Sequence, residues 1–149
     1  MIDKLLKTSD DYGLTVARLI LGIVFFAHGA QKVLGWWGGY GFTGTMGFFV
    51  HMGIPAPLAF VAIMAEFLGG LGLIVGAVSR IAAFGILSNM VVAIATVHWP
   101  NGFFMNWAGN QKGEGIEYHL LAIALAAAII IDGAGALSID RALTKTPKQ

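Results

Sequence analysis

The chain has 149 residues, 57% of them hydrophobic and 11% charged, with a mean hydropathy of +0.77, a composition outside the range of soluble domains and typical of bilayer proteins. Its formal net charge of +1, with no cluster of Lys and Arg, gives no reason to expect a nucleic-acid partner. With no cysteine, disulfide exchange, thiolate nucleophiles, Cys-ligated zinc and ordinary iron–sulfur clusters are all excluded, so a redox role needs a bound cofactor, a metal or a partner.

The opening MIDKLLKTSDDYG carries mixed charge. The apolar stretch behind it is longer than a signal-peptide core and lacks a clear small-x-small cleavage site, so it reads as a retained first helix. Four apolar stretches come in order, 14–34, 56–78, 81–99 and 118–137, each long enough to cross a hydrocarbon core with some tilt. The expected architecture is all-α, one domain, a four-helix transmembrane bundle in contact with lipid. Only Ser79 and Arg80 separate the second stretch from the third, which makes those helices antiparallel neighbours.

Between the first two spans, GWWGGYGFTGTMGFFVHMGIP interleaves seven glycines with aromatic residues. Its second half is expected to form a short interfacial helix capped by Thr45, either as an aromatic belt at the headgroups or as a lid over a pocket. At the carboxyl end, Asp132 and SIDRAL read as a helix end and a short surface helix capped by Ser138. No internal repeat supports an inverted-repeat transporter.

Orientation follows from the basic residues. With the amino terminus cytoplasmic, Lys4, Lys7, Arg18, Arg80, Arg141, Lys145 and Lys148 fall inside and only Lys32 and Lys112 outside, seven against two, which predicts cytoplasmic termini and outward-facing aromatic loops at 35–55 and 100–117.

Glu66 is the one ionisable residue in its span. A carboxylate there costs several kcal/mol unless it meets a partner or a polar cavity. At about 100° per residue, it shares a stripe with Ala59, Ala62, Gly69, Gly70 and Ala77, small residues that allow close helix approach. Arg18, Gly22, Phe25, Gly29 and Lys32 form a matching stripe on the first helix, with His28 at its edge. Asn89 joins Ala82, Gly85, Ala93 and Thr96 on the third, as an interhelical hydrogen-bonding residue, whereas a regular helix points His98 the opposite way. The helical rise puts His28 about 9 Å and Glu66 about 15 Å below the outer ends of their helices, with Glu117 and His119 closing the group from above.

Such residues suit proton relay at a quinone head group. Binding of a divalent metal by His28, Glu66, His98 and His119 lacks any H-x-x-x-H or HExxH spacing, and no metal site is assigned. The bland alternative is that Glu66 is neutralised by Lys32, by Arg18 or by a protonation shift and fixes helix packing, while Arg18 and Arg80 snorkel to the interface.

The ordered series RLILGIVFFAHGAQKVLGWWGGYGFTGT, AEFLGGLGLIVGAVSRIAA, VVAIATVHWPNGFF and EGIEYHLLAIALAAAIIIDGAGALSID resembles the DoxX family of small four-helix membrane proteins from about Leu14 to Leu143. The pattern would be met by Arg18, Gly22, His28, Gly29, Gln31, Lys32, Gly35, Glu66, Gly69, Gly70, Arg80, His98, Gly102, Phe103, Glu114, Glu117 and Tyr118. The resemblance implies a bacterial or archaeal inner-membrane protein linked to quinone-dependent redox processes.

The expected site therefore has Glu66, His28, Lys32 and Glu117 as proton-handling or hydrogen-bonding groups, with Arg18, Gln31, Trp36, His98 and Tyr118 around a quinone. Electrons would come from a soluble or membrane redox partner. Two alternatives stand beside it: a non-catalytic assembly subunit that docks such a partner, and a small-solute or metal permease, for which four spans would require a homo-oligomer.

Overall fold

The computed structural model describes residues 5–145; Lys4 and Lys148, counted above for orientation, lie outside them. All regular structure among the described residues is helical: α1 Tyr12–Leu34, α2 Gly41–His51, α3 Ala56–Val75, α4 Ser79–Ala93, α5 Glu117–Asp132 and α6 Ile139–Lys145. Helices α1, α3, α4 and α5 form the four-helix bundle. Three stretches, Tyr12–Leu34, Ala56–Val75 and Ser79–Asn101, are long and apolar enough to cross a membrane. The 16 residues of α5 rise only about 24 Å.

Local chemistry sets each boundary. Asp11 caps α1 by accepting the Leu14 N–H at 2.9 Å, and Gly35 ends it in the left-handed conformation. Helix α3 stops at Val75 rather than Val78 because Gly76 turns left-handed at φ 70°. A Cβ on Gly76 would strike Ser138 and the Arg18 guanidinium, so the chain must reverse there through glycine. Likewise α5 stops at Asp132 rather than running to Leu137, since Gly133 takes φ 93°.

Helix α2 is present as expected, but it begins at Gly41 with no side-chain cap. Thr45 is buried inside it rather than at its start. Ser138 does cap α6, accepting the Arg141 N–H at 3.2 Å. That helix is more than a surface appendage: Asp140 is buried, and its carboxylate accepts the N–H groups of Val78 at 2.7 Å and Ser79 at 2.9 Å.

The α1–α3 pair is the most extensive helix contact, and small residues make it so. A Cβ on Gly29 would collide with the Phe67 backbone, and one on Gly70 with the backbone of Phe26. Leu21, Phe25, Leu73, Ala83, Ile86 and Ala126 knit the four helices into one core.

Three arginines at the end carrying both described termini, the terminal end, are consumed by this architecture. Arg18 is 1% exposed. Its guanidinium donates to the carbonyls of Ala134 at 2.7 Å, Ile74 at 2.9 Å, Leu137 at 2.5 Å and Leu73. It is thus an internal tie among α1, α3 and the 133–138 segment, not a snorkelling anchor. Arg80 donates to the Lys7 carbonyl at 2.9 Å and to that of Ile130, and Arg141 pairs with Asp10.

Candidate functional site

Near the middle of α4, the Asn89 side chain donates to the Ala62 carbonyl of α3 at 2.7 Å. Further toward the loop end, where residues 35–55 and 100–116 lie, the bundle encloses a cavity of about 630 Å³. Its walls are mainly apolar, and its polar groups come from four helices.

Glu66 of α3 is 7% exposed and forms an ion pair with Lys32 of α1. The acid therefore faces protein, as its small-residue stripe requires, and the cation that neutralises it is Lys32 and not Arg18. His28, one helical turn before Lys32, also lines the cavity. Its ring centroid lies 6.4 Å from that of Phe25 and 6.2 Å from that of Tyr118. The Tyr118 hydroxyl is buried in the wall without a hydrogen-bond partner among protein groups.

His98 corrects a simple helical projection. Residues Ile94–His98 form a π turn at the end of α4. On a regular helix, nine steps from Asn89 put His98 about 180° away; the extra residue in a π turn removes about 100° of that rotation. His98 accordingly lines the same cavity as Asn89. Its ring meets that of His119, with centroids 4.0 Å apart and a tilt of 45°, while its Nδ1 sits 2.8 Å from the Glu114 carbonyl. A carbonyl only accepts, so Nδ1 carries the proton and Nε2 of neutral His98 is left as an acceptor.

Glu117 turns elsewhere. Its Oε1 accepts the Met105 N–H at 2.9 Å and the Trp107 indole at 3.4 Å, and so shapes the second loop. The carboxylate of Glu114, by accepting the Asn106 N–H at 2.6 Å, braces the same loop. From the start of α5 it is His119, 5% exposed, that reaches the cavity. The helical stripe held this signal, since His119 aligns with the buried Ala122, Ala126 and Ile129 while Glu117 is two residues, about 200°, away.

Gln31 lines a smaller pocket of about 270 Å³ that shares Lys32, Phe48 and Phe49 with the main cavity. Trp36 is exposed and packs edge-on against Trp37 instead of lining either space. Arg18 belongs to the terminal end. Of the nine expected site residues, Glu66, His28, Lys32, His98 and Tyr118 share one cavity; Gln31 adjoins it, and Arg18, Trp36 and Glu117 lie outside its lining. Phe48 and Phe49 of α2 and Met52 just after it line the cavity at the loop end, which gives that helix the placement of a lid.

The DoxX family model matches residues 13–99, more than half of the chain. The chain belongs to the DoxX family. Its matched region takes in α1 to the π turn, and hence Lys32, Glu66 and His98. The chain is 28% identical over 143 residues to "Putative oxidoreductase CatD" of Bacillus subtilis (strain 168), covering 96% of each sequence. It is 29% identical over 140 residues to "Inner membrane protein YqjF" of Escherichia coli (strain K12), covering 94% of this chain and 98% of that one. No solved structure matches it. Composition, helix lengths and family together make this DoxX chain a membrane protein.

Proposed function

We propose that the protein is a quinone-associated redox subunit of the cytoplasmic membrane, with its termini inside and the loop end outside. The observation that carries this reading is that α1, α3, α4 with its π turn, and α5 send Lys32, Glu66, His28, His98, His119 and Tyr118 into one mainly apolar cavity. Ionisable groups at membrane depth are costly and mark ligand or proton sites, and a mainly apolar cavity with a few convergent polar groups is the form of a small-molecule site. The name of the B. subtilis relative is consistent with redox work, and that of the E. coli relative with the inner membrane.

The residues fit a quinone by chemistry. A planar, apolar ring with two carbonyl acceptors matches an aromatic and aliphatic cavity that offers the Lys32 ammonium, the His28 imidazole and an unengaged Tyr118 hydroxyl. When bound, it would supply reversible uptake of two electrons and two protons. Lys32 and His28 would hold a carbonyl oxygen by hydrogen bonds, Glu66 would accept or deliver a proton beside them, and the α2 aromatics would exclude water. Electrons come from a partner, because a chain without cysteine supplies no thiolate or iron–sulfur ligands of its own.

The ion pair also favours a second reading, an assembly subunit in which Lys32 and Glu66 satisfy each other and only fix the bundle. Titration of the purified protein with decylubiquinone, followed by tryptophan fluorescence, separates the two. Saturable quenching that weakens in Glu66→Gln is the expected result. No saturable quenching, or quenching identical in Glu66→Gln, removes the quinone role of Glu66 and leaves the assembly reading.

A further inference from the structure

The cavity has a roof, a back and a front of different chemistry. Phe48 and Phe49 of α2, with Met52 just after it, cover the loop end, while Phe25 and His28 of α1 with Tyr118 of α5 make the back. The front lies between the outer halves of α3 and α4. Those helices are joined by a tight turn at the terminal end and tied by the Asn89–Ala62 bond near the middle. Beyond that bond the lining passes to Leu58 and Val61 of α3 and Val92 of α4, which are 60%, 60% and 49% exposed. Exposed aliphatic side chains on two membrane-spanning helices face acyl chains, so the same residues line the cavity and meet the lipid.

From this arrangement we infer that the site is loaded sideways from the bilayer, through a slot between the outer halves of α3 and α4, by an amphiphile whose acceptor-bearing head takes the Tyr118 hydroxyl. The roof disfavours approach from water, and the slot offers no charged side chain to a polar solute. A lipid-dissolved molecule instead keeps its apolar chain between Leu58, Val61 and Val92 while its head reaches the polar back wall. A buried hydroxyl without a partner is destabilising, and an acceptor on the ligand removes that cost. The nature of the head rests on the quinone reading; the slot does not.

The absence of cysteine permits a clean test in the full chain reconstituted in phosphatidylcholine vesicles. A nitroxide on Ala93→Cys, a cavity position on α4, should collide more with lipid-soluble oxygen than with the aqueous nickel–EDDA complex, and Val61→Trp should reduce the oxygen collisions by filling the slot. Equal or greater nickel access would overturn the slot in favour of a water-filled vestibule, and shielding from both reagents would overturn any open slot. In the same vesicles, Tyr118→Phe should weaken decylubiquinone binding about five- to tenfold, the value of one neutral hydrogen bond, without loss of stability, since no protein bond is broken. Unchanged affinity overturns the Tyr118 contact. Failure of the native chain to bind decylubiquinone overturns the quinone head, whereas the spin label decides the slot independently.

Discussion

The two ends of this bundle use the same kinds of residue to opposite effect. At the terminal end Arg18, Arg80, Arg141 and Asp140 each contact backbone groups, and the helices close around them. Toward the loop end, Lys32 and Glu66 meet side chain to side chain, and the buried Tyr118 hydroxyl has no hydrogen-bond partner in the protein. A charge whose hydrogen bonds end on main chain holds the fold together, because every partner it loses is an orphaned carbonyl or N–H. A charge that meets another side chain beside a cavity can be exchanged or engaged by a ligand. Burial does not distinguish Arg18 from Glu66, since both are buried; their partners do.

The largest effect is expected at the terminal end. Arg18→Met strips the carbonyls of Leu73, Ile74, Ala134 and Leu137 of their donor, and charged hydrogen bonds of about 1.5–3 kcal/mol each make a loss of several kcal/mol, or failure to obtain folded protein, the expected outcome of unfolding titrations in mixed detergent micelles. Lys32→Met alone should cost about 3 kcal/mol by leaving the Glu66 charge unpaired. The double variant Lys32→Met/Glu66→Leu sharpens the contrast: stability should return to within about 1 kcal/mol of the native chain or exceed it, while decylubiquinone binding stays weaker than in the native chain. A double variant as unstable as Arg18→Met would erase the distinction between the ends. Smallest of all, Asn89→Ala removes one interhelical bond at the foot of the slot and should cost about 1 kcal/mol in the same titration.

Much of this was legible residue by residue. The stripes through Gly22 and Gly29, and through Glu66, Gly69 and Gly70, marked the inward faces of α1 and α3 and the inward acid, because small residues at helical spacing admit a neighbouring backbone. Tyr118 and His119 show where periodicity reaches its limit: adjacent in sequence, both line the cavity, although only His119 lies on the buried Ala122–Ala126–Ile129 stripe. His98 was misdirected by assuming regular geometry, since a π turn has no compositional mark and is chosen by what the helix end packs against. The role of Arg18 was hidden for a related reason. Its partners are carbonyls of 73–74 and 134–137, and backbone acceptors carry no sequence signal.

Sequence alone determined the bilayer setting, the helix count, the family likeness and the buried stripe that carries Glu66, since hydropathy, length and spacing are properties of a helix taken singly. Tertiary structure decided which cation Glu66 meets, which histidine of 98 and 119 faces which, and that Glu117 serves a loop while Arg18 seals the far end. Those outcomes depend on the rotation and depth of one helix against another, which are set by side-chain packing and by main-chain atoms that every residue shares.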